Sequence, residues 1–249
     1  FRWAVGEGLV QPGVLQALAA VPGLRRGRTA ARESKAVRPV PEEHIDAVLP
    51  LVSRQVAAMI HLQILTGMRP AEVATMRLCD IDMRTTVWEY RPQSHKVEHH
   101  DRERIVYIGP RAQEALRPFL RPDPTGYLFD PASAEAERNA RRRAQRATPL
   151  WPSHVRAQES KHRRRSTASV RPGRYTEAAY RRAIDRSCVR AGVPHWTPHR
   201  LRHNAGTLVR REFGIEVARV VLGHASIGTT EIYAEADRLR AKKAMERLG

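Results

Sequence analysis

Thr197-Pro198-His199-Arg200-Leu201-Arg202-His203 reads as the opening of a helix. Thr197 suits an N-cap, and Pro198 suits the first turn, where a missing N–H costs nothing. His199, Arg202 and His203 then fall at i, i+3 and i+4, so two imidazoles and a guanidinium share one face. Beside the free backbone N–H groups of a helix start, such a cluster suits an anion. The His pair also matches helical zinc spacing. However, Arg200 and Arg202 would repel a cation and no Glu follows the first His, so no metal is expected.

The helical pattern extends in both directions, and everything after Tyr175 reads as helix in at least four pieces. Downstream, Gly223 ends a helix spanning Val217 to Leu222 and leaves His224 on the turn. Ser226 can cap the next short helix, which carries Tyr233. Upstream, Pro41-Glu42-Glu43 starts a short helix through Leu49. Ser53 caps a second helix, with Val56, Ile60 and Ile64 at helical spacing, and Gly67 stops it. Pro70 opens a third helix, Ala71 to Met76, which puts Arg69 at the joint and Glu72 on the same face. Strand-like runs, Thr85 to Tyr90 and Arg104 to Ile108, flank a polar stretch containing Lys96. Gly109-Pro110 then leads into a helix through Leu120. The expected fold class is mainly α with a small antiparallel β-sheet (α+β).

Composition narrows the chemistry. The 249 residues include 44 basic and 26 acidic side chains, a formal charge of +18. Such a balance points to a polyanionic partner. Only five of the basic residues are Lys, and 39 are Arg, the side chain that grips phosphate in a planar fork. Cys79 and Cys188 are too few for a disulfide scaffold or a Cys-based zinc site, which favours a reducing, cytoplasmic setting. Val56 to Met68, the most apolar stretch, is shorter than a membrane span, and no charged-then-apolar leader opens the chain. The chain begins at Phe1 rather than Met, so its natural start is expected upstream.

Residues 1–34 look like the end of another domain plus a linker. A short amphipathic piece, Val14 to Leu18, precedes Pro22-Gly23 and a basic run, Arg25, Arg26 and Arg28. The main domain is placed at 35–249, with a basic insertion at about 131–174. From Arg138 to Arg174, eleven Arg and one Lys face a single Glu, a net charge of +11. That segment, with Arg141, Arg142, Arg143, Arg163, Arg164 and Arg165, reads either as a flexible solvated loop or as an arm that tracks a polyanion, with Trp151 as its anchor.

Taken singly, these residues have plain readings: Arg69 as a joint cation paired with Glu72, Tyr233 as a half-buried aromatic. As an ordered set, Arg69, Lys96, His199, Arg202, His224 and Tyr233 resemble the tyrosine recombinase or phage integrase family. The matching text is Thr66-Gly67-Met68-Arg69-Pro70-Ala71-Glu72, His199-Arg200-Leu201-Arg202-His203, Leu222-Gly223-His224 and Tyr233, within about residues 40 to 240. The resemblance implies a tyrosine recombinase catalytic-domain-like fold over 35–249, with 1–34 the remnant of a helical core-binding domain. It also implies a site-specific DNA recombinase that cleaves and rejoins strands through a 3′-phosphotyrosyl intermediate.

The roles follow from charge and proton needs. Attack on a phosphodiester passes through a pentavalent state with extra negative charge, which Arg69 and Arg202 can stabilise. Tyr233 is the expected nucleophile and Lys96 the general acid toward the departing 5′-oxygen, although His95, His99 and His100 stand nearby. His199 accepts the phenolic proton, His224 donates to a phosphate oxygen, and, in supporting positions beside them, Glu72 orients Arg69 or His203. No cofactor is expected. The implied partner is double-stranded DNA, bound by a homotetramer that is monomeric in solution, with no membrane association. Two alternatives share these residues: a type IB topoisomerase-like relaxase, and a catalytically decayed DNA-binding module of a mobile element.

Overall fold

The computed structural model describes residues 1–24, 27–30, 32, 37–93, 104–149, 151–157, 160 and 173–224. The chain divides into two compact units, Phe1–Val37 and Arg38–Gly249. The first holds α1 (Arg2–Gly6) and α2 (Pro12–Ala19), neither of which contains a buried residue.

In the second unit, α3 (Glu42–Val48) leads to α4 (Arg54–Thr66). Ser53 Oγ accepts from the Val56 N–H at 3.3 Å, and Gly67 closes α4 in the left-handed region at φ +68°. α4 is buried on most of its circumference, through Val56, Met59, Ile60, Leu62 and Gln63. A helix apolar on so many sides belongs at a centre. It packs against α6 (Pro110–Leu116), α9 (Pro198–Phe213) and a strand of the sheet.

The sheet has three antiparallel strands in sequential order, β1 (Ile81–Asp82), β2 (Trp88–Tyr90) and β3 (Val106–Ile108). Ile81 pairs with Tyr90, and Trp88 with Ile108. Alternation sends Trp88, Tyr90, Val106 and Ile108 to the core and leaves Glu89 and Tyr107 outside. The mainly helical fold with a small antiparallel sheet is therefore as the sequence predicts. β2 is shorter than the run Thr85 to Tyr90, because local side-chain bonds claim the preceding backbone. Arg84 binds Asp82, and Thr85 Oγ1 donates to the Val87 carbonyl.

The basic segment departs further from expectation. Rather than a flexible arm from its start, residues Pro131–Ala144 form a regular helix, α7. Asp130 caps it, accepting from the N–H groups of Ala132 at 2.9 Å and Ser133 at 3.1 Å, and Pro131 takes the first position. The Ala, Glu and Arg that follow are strong helix formers. Arg141, Arg142 and Arg143 thus sit exposed on its last turn, where cations suit the helix dipole. Trp151 is 63% exposed, not buried against the described residues. Arg163, Arg164 and Arg165 lie outside the described residues. Among the described residues no helix is long and apolar enough to cross a membrane.

Three further helices among the described residues are α8 (Glu177–Ala191), α9 and α10 (Ile215–Leu222). α9 packs between α4 and α10. Asn204 on α9 both accepts from and donates to the backbone of Val40, and Arg200 donates to the carbonyls of Arg38 and Pro39. The start of this unit is thereby stitched to the helix that carries the His and Arg residues.

Candidate active site

The site forms where the joint between α4 and α5 (Pro70–Ala74), α9 and the turn after α10 meet. At the joint, Thr66 Oγ1 donates to Leu62 O and accepts from the Met68 N–H, while Gln63 Nε2 donates to Met68 O at 3.1 Å. Arg69 follows as the N-cap of α5 (Pro70–Ala74). Glu72 holds it at both ends, accepting from its backbone N–H at 2.7 Å and its Nη1 at 2.6 Å. Tyr90 OH donates to the Glu72 carbonyl at 2.8 Å and ties this short helix to the sheet. A buried carboxylate is expected to prefer its neutral form. Here burial does push the Glu72 carboxyl upward, but the Arg104 and Arg69 charges and the Arg69 backbone N–H outweigh it and hold the group below its usual value.

Arg202 is only 2% exposed, unusual for a guanidinium, which stays charged in any protein environment. It donates from Nη1 to the Gly67 carbonyl at 2.7 Å, and from Nη2 to the Leu222 carbonyl and to His224 Nε2 at 3.0 Å. Those three acceptors belong to two segments far apart in the chain, the α4–α5 joint and the turn after α10. Gly67 itself admits no side chain, since a Cβ there would lie 2.8 Å from Leu222 Cδ2. Because a guanidinium only donates, Nε2 of His224 accepts, and the neutral ring carries its proton on Nδ1.

The sequence-predicted residues sort plainly. Arg69, Glu72, Arg202, His203 and His224 converge. His199 is exposed at the edge of the cluster, its ring meeting that of His203 edge-on at 5.8 Å between centroids. Thr197 occupies the N-cap position of α9, but its side chain makes no capping bond. Glu72 was expected to orient Arg69 or His203, and it holds Arg69 together with Arg104. Lys96 and Tyr233 lie outside the described residues.

Arg104 is the member that sequence reasoning missed. It is 5% exposed, and its Nε lies 3.3 Å from Glu72 Oε1. Its signal was present: with the run Arg104 to Ile108 read as a strand, period-two alternation sets Arg104 on the same face as Val106 and Ile108, which is the buried one.

Two imidazoles complete the electrostatics. Burial, then Arg202, Arg69, Arg104 and His203, push His224 down to about 4. Burial, then His199, Arg202 and Arg200, do the same to His203. Both rings are neutral at pH 7. The three guanidiniums of Arg69, Arg104 and Arg202 against the Glu72 carboxylate leave this cluster with two net positive charges. The depressed histidines also set an acid limit. An unfolded His takes up its proton near 6.5, whereas these folded ones resist to about 4, so stability is full above 6.5 and falls as pH drops through that window. Urea unfolding from pH 7.5 to 4 is expected to show this decline, and His203→Gln is expected to flatten it.

The phage integrase family profile matches residues 44–240. The chain belongs to the phage integrase family. Among curated relatives of this integrase-family chain, the tyrosine recombinase XerC of Corynebacterium efficiens is 27% identical over 192 residues, covering 77% of this chain and 49% of that protein. The tyrosine recombinase XerD of Ralstonia nicotianae is 26% identical over 244 residues, covering 97% and 67%. The chain spans about half the length of the XerC relatives it matches. In fold it is similar to a lambda integrase dimer bound to a COC′ core site, with a TM-score of 0.57 at 14% identity over 96% of this chain and 70% of the other. It is also similar to XerA recombinase, with a TM-score of 0.54 at 20% identity over 88% and 66%. These likenesses place the fold among integrase-family structures.

Proposed function

We propose that this chain is the catalytic portion of a site-specific DNA recombinase, which cleaves and rejoins strands through a 3′-phosphotyrosyl link to Tyr233. The observation that carries the reading is the meeting of Arg69, Arg202 and His224 in a water-poor cluster with two net positive charges. A phosphodiester brings one negative charge and its pentavalent transition state two. A fixed charge of +2 therefore favours the transition state over the ground state, which is the differential binding that catalysis requires.

Arg69 grips the non-bridging oxygens, while Arg202, buried and bonded to Gly67 O, Leu222 O and His224 Nε2, adds its charge beneath them. The Nδ1–H of His224 donates to one of them while Arg202 holds the ring from behind. His199, exposed and next to His203, takes the phenolic proton, and Lys96 protonates the departing 5′-oxygen. Burial of Tyr90, Tyr175 and Tyr180 supports Tyr233 as the nucleophile, because it pushes all three phenols up and so disfavours the attacking phenolate. Residues 1–34 would be the end of a core-binding domain and 35–249 the catalytic domain. The working assembly would be a homotetramer on double-stranded DNA, formed from monomers in a bacterial cytoplasm at the nucleoid.

The test is a nicked suicide duplex, which traps cleavage by losing the short strand that would reverse it. The chain is expected to form a denaturant-resistant covalent adduct and to join the trapped end to a second duplex. Relaxation of supercoiled plasmid without any joining between duplexes would favour the topoisomerase-like alternative, and binding without an adduct would favour the decayed module.

The last turn of α7 makes a separate prediction. If Arg141, Arg142 and Arg143 each neutralise a phosphate, changing all three to Ala is expected to make the slope of log affinity against log salt shallower by roughly 2 to 3. Filter binding at several salt concentrations measures it, and an unchanged slope assigns these residues to solvent.

A further inference from the structure

We infer that Arg104 is a positioning residue for the proposed cleavage: it fixes the turn that presents His224 and shares the carboxylate that orients Arg69. The inference rests on the recombinase reading above and extends it to a side chain that reading does not use.

Arg104 stands two residues before β3 and reaches two other segments. Its Nε approaches Glu72 Oε1, and its Nη1 donates to Val221 O at 2.9 Å and to Ile105 O at 3.1 Å. Val221 lies in the last turn of α10, where carbonyls have no intrahelical partner and the dipole is negative, so a guanidinium there both caps and neutralises. The next carbonyl, Leu222 O, is taken by Arg202. Consecutive carbonyls are thus held by two guanidiniums from different elements, and the turn leading to His224 is clamped between them.

The contact is close enough to dictate sequence. A Cβ on Gly223 would lie 2.7 Å from Arg104 Nη1 and 3.1 Å from its Cδ, and the residue adopts φ +62°. Gly223 is therefore favoured for its left-handed backbone, and a Cβ there would push the Arg104 guanidinium out of place.

The side chain is also costly as pure scaffolding. Its Nη2 is buried with no hydrogen-bond partner among the described residues. An apolar residue would fill the space without that deficit. What Arg supplies instead is charge and direction: it neutralises part of Glu72, aims the turn, and adds to the field that keeps the His224 ring neutral. The charged and titratable groups facing that ring are Arg202, Arg69, Arg104 and His203.

The experiment compares the full chain with R104Q and R104K, using ¹⁵N-histidine NMR for the tautomer and titration of His224, together with adduct formation at saturating DNA. R104Q is expected to raise the His224 titration above its parental value of about 4. It should also weaken the Nδ1–H preference and slow cleavage on the order of 100-fold, with DNA affinity within about twofold. R104K keeps the charge but cannot bridge Glu72 and Val221 together, so its titration should stay low while cleavage stays slow. His224 signals identical to the parent in R104Q, or parental cleavage rates in either variant, overturn the proposal. If R104Q does not fold, parental cleavage by R104K still overturns it. Failure of the parent chain to form any adduct would sink the recombinase reading instead, and the NMR comparison would still decide whether Arg104 holds His224.

Discussion

Tyr233→Phe is expected to abolish the covalent adduct with nicked suicide DNA while leaving DNA affinity within about twofold. The phenol oxygen is the atom that would bond to phosphorus, so its removal eliminates the intermediate instead of slowing it. Affinity should survive because it resides in Arg and Lys contacts to phosphate, to which one neutral hydroxyl adds little. Measurement requires only a denaturing gel for the adduct and a binding isotherm on the same duplex. An adduct that persists in Tyr233→Phe would move the nucleophile elsewhere. Tyr107, 40% exposed on the outer face of the sheet, and Tyr127 would then be the side chains to change next.

Arg202→Lys is expected to reduce cleavage by on the order of 10³-fold or more, and also to destabilise the fold. A Lys keeps the charge but offers one point donor in place of a planar fork. It cannot serve Gly67 O, Leu222 O and His224 Nε2 together, so at least one buried carbonyl loses its partner, and His224 loses the group that sets its tautomer. Each charged hydrogen bond of this kind contributes about 1.5–3 kcal/mol, and the loss of stability should fall in that range or somewhat above it. Urea unfolding and the adduct assay read the two effects independently. Near-parental cleavage would mean that charge alone suffices at this position and that the observed bonds serve only packing.

Local chemistry made much of the fold legible. Ser53 as a cap, Gly67 and Gly223 as left-handed stops, and Pro70, Pro110 and Pro198 at helix starts act within one turn of chain. Their signals need no knowledge of distant residues. Asp130 shows the limit of composition as a guide. The charge density of 138–174 suggests a flexible arm, yet a cap and a run of good helix formers order its beginning regardless of charge. Strand ends were less legible, because Asp82, Arg84 and Thr85 compete for the backbone through side-chain bonds that period-two alternation does not register.

The ordered motifs that resemble the integrase family were enough to nominate Arg69, Glu72, His199, Arg202, His203 and His224, and helical spacing alone put His199, Arg202 and His203 on one face. What only the tertiary structure decided is how these groups are wired. Arg202 is buried and satisfied by carbonyls from two other segments, Arg104 joins Glu72 to the His224 turn, and both buried rings are held neutral. Those facts depend on burial and on through-space contacts between elements more than a hundred residues apart, and neither quantity is encoded in any single stretch of the chain.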